Sequence, residues 1–431
     1  MAREFKDSGI EWIGQIPKEW EIGKVKNYYS LQTGFTPDTK NELYYDDNGA
    51  LWVNISDMGD SHYISNTKKK ISDYYISKFK PPIVPKGSLL YSFKLSVGTV
   101  AIAGEEMYTN EAIAAFLQKD GINLSFLYYS SQVCIIFNAN ENIYGAKLLN
   151  QDLINNATII FPPLAEQQKI ADYLDKVCGE VDEMVTLQET MIEELKAYKQ
   201  SVITEAVTKG LNPNVPMCDS GIDWIGEIPE HWEVIKMRRC VDSIGDVDHY
   251  MPDSIETGIP YIMTRDLADR TSMINKDQCK QISYEDYVNL SRKIILEKND
   301  VIFARYASIG NVCYVDTDEE MIVSYSCVII KPLPILSGLY LFYYLKSKTF
   351  EEEVLQFVNT NIQGNVGIDS LYKTKMMMPP LVEQRAIASY LDTKCSEIDS
   401  LIALKQAKIE ELKEYKKSVI YEYVTGKKEV C

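Results

Sequence analysis

Eighteen residues near the start of the chain, DSGIEWIGQIPKEWEIGK at 7–24, return as DSGIDWIGEIPEHWEVIK at 219–236, with twelve of the eighteen unchanged. Two further blocks recur in the same order. FPPLAEQQKIADYL (161–174) returns as MPPLVEQRAIASYL (378–391), and ELKAYKQSVI (194–203) returns as ELKEYKKSVI (411–420). The period is too long, and the copies too few, for a solenoid. The chain is therefore a pair of related units. Between the retained blocks the likeness fades. LLYSFKLSVGTVAIA (89–103) and VIFARYASIGNVCYV (301–315) share a pattern that aligns Gly98 with Gly310, and LWVNISDM (51–58) only faintly echoes PYIMTRDL (260–267). Retained ends with diverged middles fit one frame carrying two different working surfaces.

The middles read as mixed α/β. Runs rich in β-branched and aromatic residues at Leu89–Val97, Thr158–Phe161, Lys298–Phe303 and Ile322–Ile330 have strand character. Gly98 and Gly310 fall where paired strands turn. Pro162-Pro163 and Pro379-Pro380 end a strand and open a helix, since proline donates no backbone hydrogen bond but suits a first helical turn.

From Glu166 to about Val207 there is no proline and one glycine, Gly179. Apolar residues at Ile170, Leu174, Val177, Val181, Met184, Met191, Leu195, Tyr198 and Val202 follow the spacing of a coiled-coil seam, with Gln188 as its polar member. Ile387, Leu391, Ile398, Leu401, Leu412, Tyr415 and Val419 take the matching positions in the second copy. Lys394, Lys405 and Lys408 interrupt that row, and Lys405 is the equivalent of Gln188. Each helix is on the order of 60 Å long and needs a long partner. The expected fold is α/β (α+β): two globular domains related by internal duplication, 1–163 and 211–380, separated by two long helices, 164–210 and 381–431, that form an antiparallel coiled coil. The other reading packs each amphipathic helix on its own domain.

Composition excludes several classes. The chain has 431 residues and a net charge of −17, which argues against an indiscriminate nucleic-acid binder. Its nine cysteines are scattered without CxxC spacing, and there are three histidines. Reduced thiols, no structural metal and a cytoplasmic location are expected. No apolar run is long enough to span a bilayer, so no membrane association is expected, and no signal-peptide pattern opens the chain. Phosphate-loop, dinucleotide, GxSxG and HExxH motifs are absent, as is the Asn/Asp-Pro-Pro-aromatic tetrapeptide of amino-methyltransferases. Glu351-Glu352-Glu353 reads as a solvated helix face, with a cryptic nuclease as its alternative.

A chain with two Trp-Ile-Gly-x-Ile-Pro segments and two PPLxEQ helices, in this order, resembles the specificity (S) subunit of Type I restriction–modification systems along its whole length. The resemblance implies that each diverged middle is a target recognition domain reading one half of a split, asymmetric double-stranded DNA site. It implies that the helices set the spacing and dock two adenine-N6 methyltransferase (M) subunits, and that two translocase/nuclease (R) subunits join them. S-adenosylmethionine, ATP and Mg are then expected on those partners and no cofactor on this chain. Two heads on one face of a duplex sit roughly 34–36 Å apart, one helical turn.

Sequence readout needs side chains that reach base edges. The candidates are Lys68, Lys69, Lys70 and Lys94 in the first head, and Arg265, Arg305 and Tyr306 in the second. Arg238-Arg239 and Arg292-Lys293 are further basic pairs. A lysine triplet is also an ordinary solvated face, and an arginine near a strand end also pairs with a local carboxylate such as Asp266. Trp12, Trp20, Trp224 and Trp232 read as structural anchors rather than base-stacking platforms. Glu166, Gln167, Glu383 and Gln384 sit in a helix first turn, where a carboxylate suits the positive end of the dipole, and are candidates for docking the methyltransferase. Neither head is basic, so the chain alone is expected to bind DNA weakly, with a shallow salt dependence. The rival reading is a coiled-coil scaffold joining two protein partners without DNA readout.

Overall fold

The computed structural model describes residues 3–430 apart from 60–61, 95, 118–122, 142–146, 307 and 358–363. Two compact units emerge: Met1–Gln188 with Ala407–Cys431, and Glu189–Gln406. Both boundaries fall inside long helices, Leu164–Lys209 and Leu381–Val424. Each unit thus holds the start of one long helix and the end of the other.

The first unit carries a five-stranded sheet in the order Ser30–Thr33, Ile113–Leu117, Leu89–Ser92, Val100–Ala103, Tyr63–Ile64. A smaller sheet runs Tyr108–Thr109, Tyr45–Val53, Lys69–Ile71. The second unit repeats this with a four-stranded sheet, Val241–Gly245, Cys327–Pro332, Val301–Ala304, Val312–Tyr314. Its three-stranded sheet is Lys280–Ile282, Ile259–Ile262, Ile322–Val323. In both small sheets the long or central strand pairs antiparallel on one side and parallel on the other. The apolar run Ile322–Ile330 is not one strand. It is broken at Ser324–Ser326, where the Ser324 amide bonds Ile262 and the Cys327 amide bonds Ser324, so its two halves join different sheets. Gly98 and Gly310 both adopt φ +95°, which only glycine takes without strain, and they turn equivalent strand pairs.

The repeated opening block folds the same way twice. The Asp7 and Asp219 carboxylates each accept from the glycine amide two residues on, at 2.9 Å. The Ser8 and Ser220 amides reach Gly14 and Gly226 across the loop. The chain then pairs Glu21–Lys24 with Thr158–Phe161, and Glu233–Lys236 with Lys375–Met378. This lays the opening segment beside the strand that leads into the long helix.

Trp20 and Trp232 lock that junction. Both are buried, and each indole N–H donates to a first-turn glutamate, Glu166 at 3.0 Å and Glu383 at 2.9 Å. The end of the other helix packs on the same ring. Gly426 (φ +71°) lies against Trp20, and Gly210 (φ +74°) against Trp232. A left-handed glycine ends each helix, as C-terminal caps require. Gln167 and Gln384 are buried and donate to the carbonyls of Pro162 and Pro379 at 2.9 Å. Gln384 also donates to Ile335 and accepts from the Ser337 amide. This corrects the docking assignment for Gln167 and Gln384, which face inward; Glu166 and Glu383, partly exposed, hold the tryptophans.

In each unit the paired helix segments run antiparallel. Val424 shares a core with Ile170, while Lys416 bonds Asp182 at 2.7 Å farther along. Likewise Val207 shares a core with Ile387, while Lys199 bonds Asp399 at 2.7 Å. The buried and half-buried row is Cys178, Val181, Val185, Gln188, Ile192, Leu195, Lys199, Val202 on the first helix. On the second it is Cys395, Ile398, Ile402, Lys405, Ile409, Leu412, Lys416, Val419. The spacing alternates three and four, as a coiled-coil seam does. Met184 and Tyr198 are 52% and 57% exposed, and their counterparts Leu401 and Tyr415 are exposed as well. These four leave the seam. Val185, Lys199, Ile402 and Lys416, one residue further on, take their places. Of the remaining seam candidates, Val177 is half-buried beside Cys178, while Ile170, Leu174, Ile387 and Leu391 lie in the cores at the helix starts. Among the described residues no helix is long and apolar enough to cross a membrane.

Candidate nucleic-acid interface

Backbone hydrogen bonds align the two heads residue by residue at one end of the larger sheet. The Phe93 amide bonds Ala112, and the Arg305 amide bonds Ser326, both at 3.0 Å. The Asn110 amide bonds Val53 at 3.0 Å, and the Ser324 amide bonds Ile262 at 2.8 Å. Phe93-Lys94 therefore occupies the place of Arg305-Tyr306, and Glu111 the place of Tyr325. A third segment joins each group: the loop after the sheet's edge strand, following Thr33 in the first head and Gly245 in the second.

In the first head this convergence is charged and hydroxylic. Thr36 donates to the Glu111 carboxylate. That bond, chiefly, and the nearby charge of Lys94 hold Glu111 below the usual carboxylate range, against its partial burial. Thr36, Lys94 and Glu111 are all exposed. Lys68, Lys69 and Lys70 belong elsewhere, to the edge of the smaller sheet. Lys68 donates to the Ser56 carbonyl at 3.1 Å, and the Lys69 ammonium lies 5.5 Å from the Tyr45 ring centroid.

In the second head the same place is aromatic around a buried cation. Arg305 is 7% exposed and donates to Asp246. Its guanidinium stands 4.6 Å from the Tyr306 ring and 3.4 Å from His249 Nε2. The His249 ring stacks on Tyr325 at 4.8 Å. The expectation that Arg305 presents its guanidinium to DNA is corrected: a carboxylate 59 residues away in sequence claims it. Arg265 is 74% exposed, with Asp266 3.5 Å away. Arg238, Arg239, Arg292 and Lys293 lie at the surface, and Lys293 pairs with Asp248. Thr36, Glu111, His249 and Tyr325 carry no sequence signal of their own. Only the alignment of Gly98 with Gly310 points to the turn beside which they gather.

Comparison with known proteins places this duplicated frame. The family model described as the type I restriction modification DNA specificity domain matches residues 17–197 and 245–414. The chain belongs to that family. It is similar to the type I restriction enzyme MjaVIII specificity subunit of Methanocaldococcus jannaschii, at 25% identity over 429 residues, covering 96% of this chain and 94% of that one. The EcoBI specificity subunit of Escherichia coli is 22% identical over 422 residues, covering 93% and 84%. A solved chain from work on the assembly and conformational transition of the type I R-M system shares the fold. Its TM-score is 0.70 at 17% identity, covering 95% of this chain and 98% of that one.

A specificity subunit is the non-catalytic, DNA-recognition component of its restriction–modification complex. The carboxylates of Glu351, Glu352 and Glu353 do not converge in this one. Glu351 pairs outward with Lys348, and buried Glu353 accepts from the Lys375 amide at 3.1 Å. The eight described cysteines form no disulfide. Burial pushes the thiols of Cys134, Cys240, Cys313 and Cys327 up to about 12, so they stay protonated and unreactive.

Proposed function

We propose that this specificity subunit reads a split, asymmetric double-stranded DNA target, one half through residues 1–163 and the other through 211–380. In this reading the helices 164–210 and 381–431 act as spacer and docking surface. The observation that carries it is the pair of equivalent convergence points with unrelated side chains: Thr36, Lys94 and Glu111 in one head, His249, Tyr306 and Tyr325 in the other. One backbone with two chemistries suits two different half-sites, so the target need not be a palindrome.

The chain works inside a cytoplasmic complex with two methyltransferase subunits, which bring S-adenosylmethionine, and two translocase subunits, which bring ATP and Mg. Docking on the outer face of the helices is supported by the duplicated exposed pairs Met184/Leu187 and Leu401/Leu404. Exposed apolar pairs that recur at equivalent positions of both helices suit two equivalent partner contacts. With a net charge of −17, the subunit relies on its partners for much of the phosphate contact. Its salt slope alone is shallower than that of the complex.

The test is a genome-wide map of N6-methyladenine in the host, with and without the gene. Loss of one motif, two short blocks around a fixed gap, supports the reading. An unchanged map, together with a reconstituted methyltransferase complex that binds all duplexes alike, overturns it in favour of a scaffold that joins partners.

A further inference from the structure

Three observations in the second head bear on how it discriminates bases. Arg305 is buried, its guanidinium engaged by Asp246, and its Nε has no hydrogen-bond partner. It cannot swing to a base edge without abandoning the half-buried Asp246 carboxylate. Around it stand three rings that do meet solvent. His249 has a side chain 58% exposed, while Tyr306 and Tyr325 are half-buried. The first is fixed by Tyr325 beneath it and Asp246 at 3.4 Å. The second is fixed by the cation over its face and by the bridge between Tyr306 and Asn365. A locked cation with partly exposed rings around it is a support, and the rings are the surface it supports.

The same three backbone positions in the first head hold Thr36, Lys94 and Glu111. The cation's own position holds Phe93, which is also buried. Both heads therefore bury the residue at 93/305 and leave the three side chains gathered around it fully or partly exposed.

We infer that His249, Tyr306 and Tyr325 are the base-discriminating residues of the second head, with Arg305 as their positioning residue, and that Thr36, Lys94 and Glu111 discriminate in the first. This rests on the DNA-reading function proposed above. An imidazole and a phenol offer donor and acceptor groups that match base edges, and ring faces and edges suit the thymine methyl. Lysine favours the guanine acceptors and a glutamate the cytosine amino group. The two heads then prefer different base pairs.

The experiment uses the complex reconstituted with its methyltransferase partner, on duplexes carrying every single base-pair change in both halves of the mapped target. The variants are His249→Ala, Tyr306→Ala, Glu111→Ala and Arg305→Lys. His249→Ala and Tyr306→Ala are expected to flatten discrimination at one or two positions of one half-site by about tenfold, leaving the other half's profile intact. Glu111→Ala is expected to do the same in the opposite half. Arg305→Lys keeps the charge but not the forked geometry, and is expected to relax the same half-site as His249→Ala while the melting temperature stays near that of the parent. Uniform weakening on all duplexes, or an unchanged profile in every variant, overturns the inference. If the parent complex itself shows no base preference, the DNA-reading proposal fails instead, so the two failures are distinguishable.

Discussion

Asp175 and Asp392 stand at the same turn of the two long helices, and each accepts a tyrosine hydroxyl from its own head, Tyr129 at 2.7 Å and Tyr343 at 2.9 Å. Beyond that the heads part. Asp175 faces His62 at 3.9 Å, an imidazole stacked on Tyr128 at 3.9 Å, whereas Asp392 is paired with Arg270. The helix residue and its tyrosine are kept, and the third partner, supplied by the diverged middle, is not. The lesson is where duplication tolerates drift. Contacts between a helix start and the element that closes the head define the frame. Contacts contributed by loops of the middle vary, and chemistry varies with them.

The tryptophan junction tests that frame most severely. Trp20→Ala and Trp232→Ala each remove a buried indole and leave a first-turn glutamate with its other partner alone, Arg3 or His231, and each is expected to cost about 3–5 kcal/mol. Thermal and denaturant unfolding of each variant measures this. A small loss at one site and a large loss at the other breaks the claim that the two junctions are equivalent. The glutamines sharpen the comparison one step down. Gln384 makes three backbone bonds from a fully buried site, and Gln167 makes fewer, its contact with the Asn123 amide being long at 3.4 Å. Gln384→Ala should cost about 1–3 kcal/mol, the range for leaving buried groups unsatisfied, and Gln167→Ala less. Equal losses would mean that the extra bonds of Gln384 add nothing.

Much of this frame was legible in the chain alone, because its parts lie in blocks that occur twice. The Pro-Pro stops, the long helices and the anchoring role of Trp20 and Trp232 follow from retained residues, whereas Trp224, expected to anchor as well, lies exposed. The sequence spacing puts Met184, Tyr198, Leu401 and Tyr415 in the seam, one residue short of the side chains that fill it. Those positions carry large apolar side chains, while the true row uses Lys199 and Lys416, whose stems lie along the seam and whose ammonium groups leave it to reach Asp399 and Asp182. The place of Arg305 is hidden for a different reason. Nothing local to it announces Asp246, which the fold brings from another loop. Side chains that converge only through tertiary structure leave no periodic trace.

The two third partners, His62 and Arg270, differ in their response to pH. Burial, first, holds the His62 imidazole below its ordinary value of 6.5, with Asp175 opposing that shift and Lys416 adding to it. The unfolded chain then takes up the proton before the folded one. The stability owed to neutral His62 is complete above pH 6.5, falls as the pH drops through that value, and levels off below the folded-state value. The slope is at most one proton's worth, about 1.4 kcal/mol per pH unit. Denaturant unfolding across this range should show a flatter profile for His62→Gln than for the parent. Arg270 stays charged throughout, so Arg270→Gln should shift the whole curve without changing its slope. A parent curve with no slope to remove would make the His62 and Arg270 partners alike in their response to pH.

The smallest expected effect comes from the most symmetric contacts. Lys416–Asp182 and Lys199–Asp399 have equal lengths and equivalent positions, and the aspartates are half exposed. Exposed pairs of this kind contribute about 0.2–1 kcal/mol and weaken with salt. Asp182→Asn and Asp399→Asn should therefore destabilise by similar small amounts, both reduced at high ionic strength, and the double variant should be additive because the two pairs share no partner. The more informative exchange is Lys199→Met with Lys416→Met. Each lysine fills a seam position with its stem, so methionine keeps the packing and removes only the charge. If the lysines serve the seam, both changes are neutral or stabilising. If they serve the ion pairs, both cost what the aspartate variants cost. A split result, one helix tolerant and the other not, would show that the drift seen in the heads has reached the coiled coil as well.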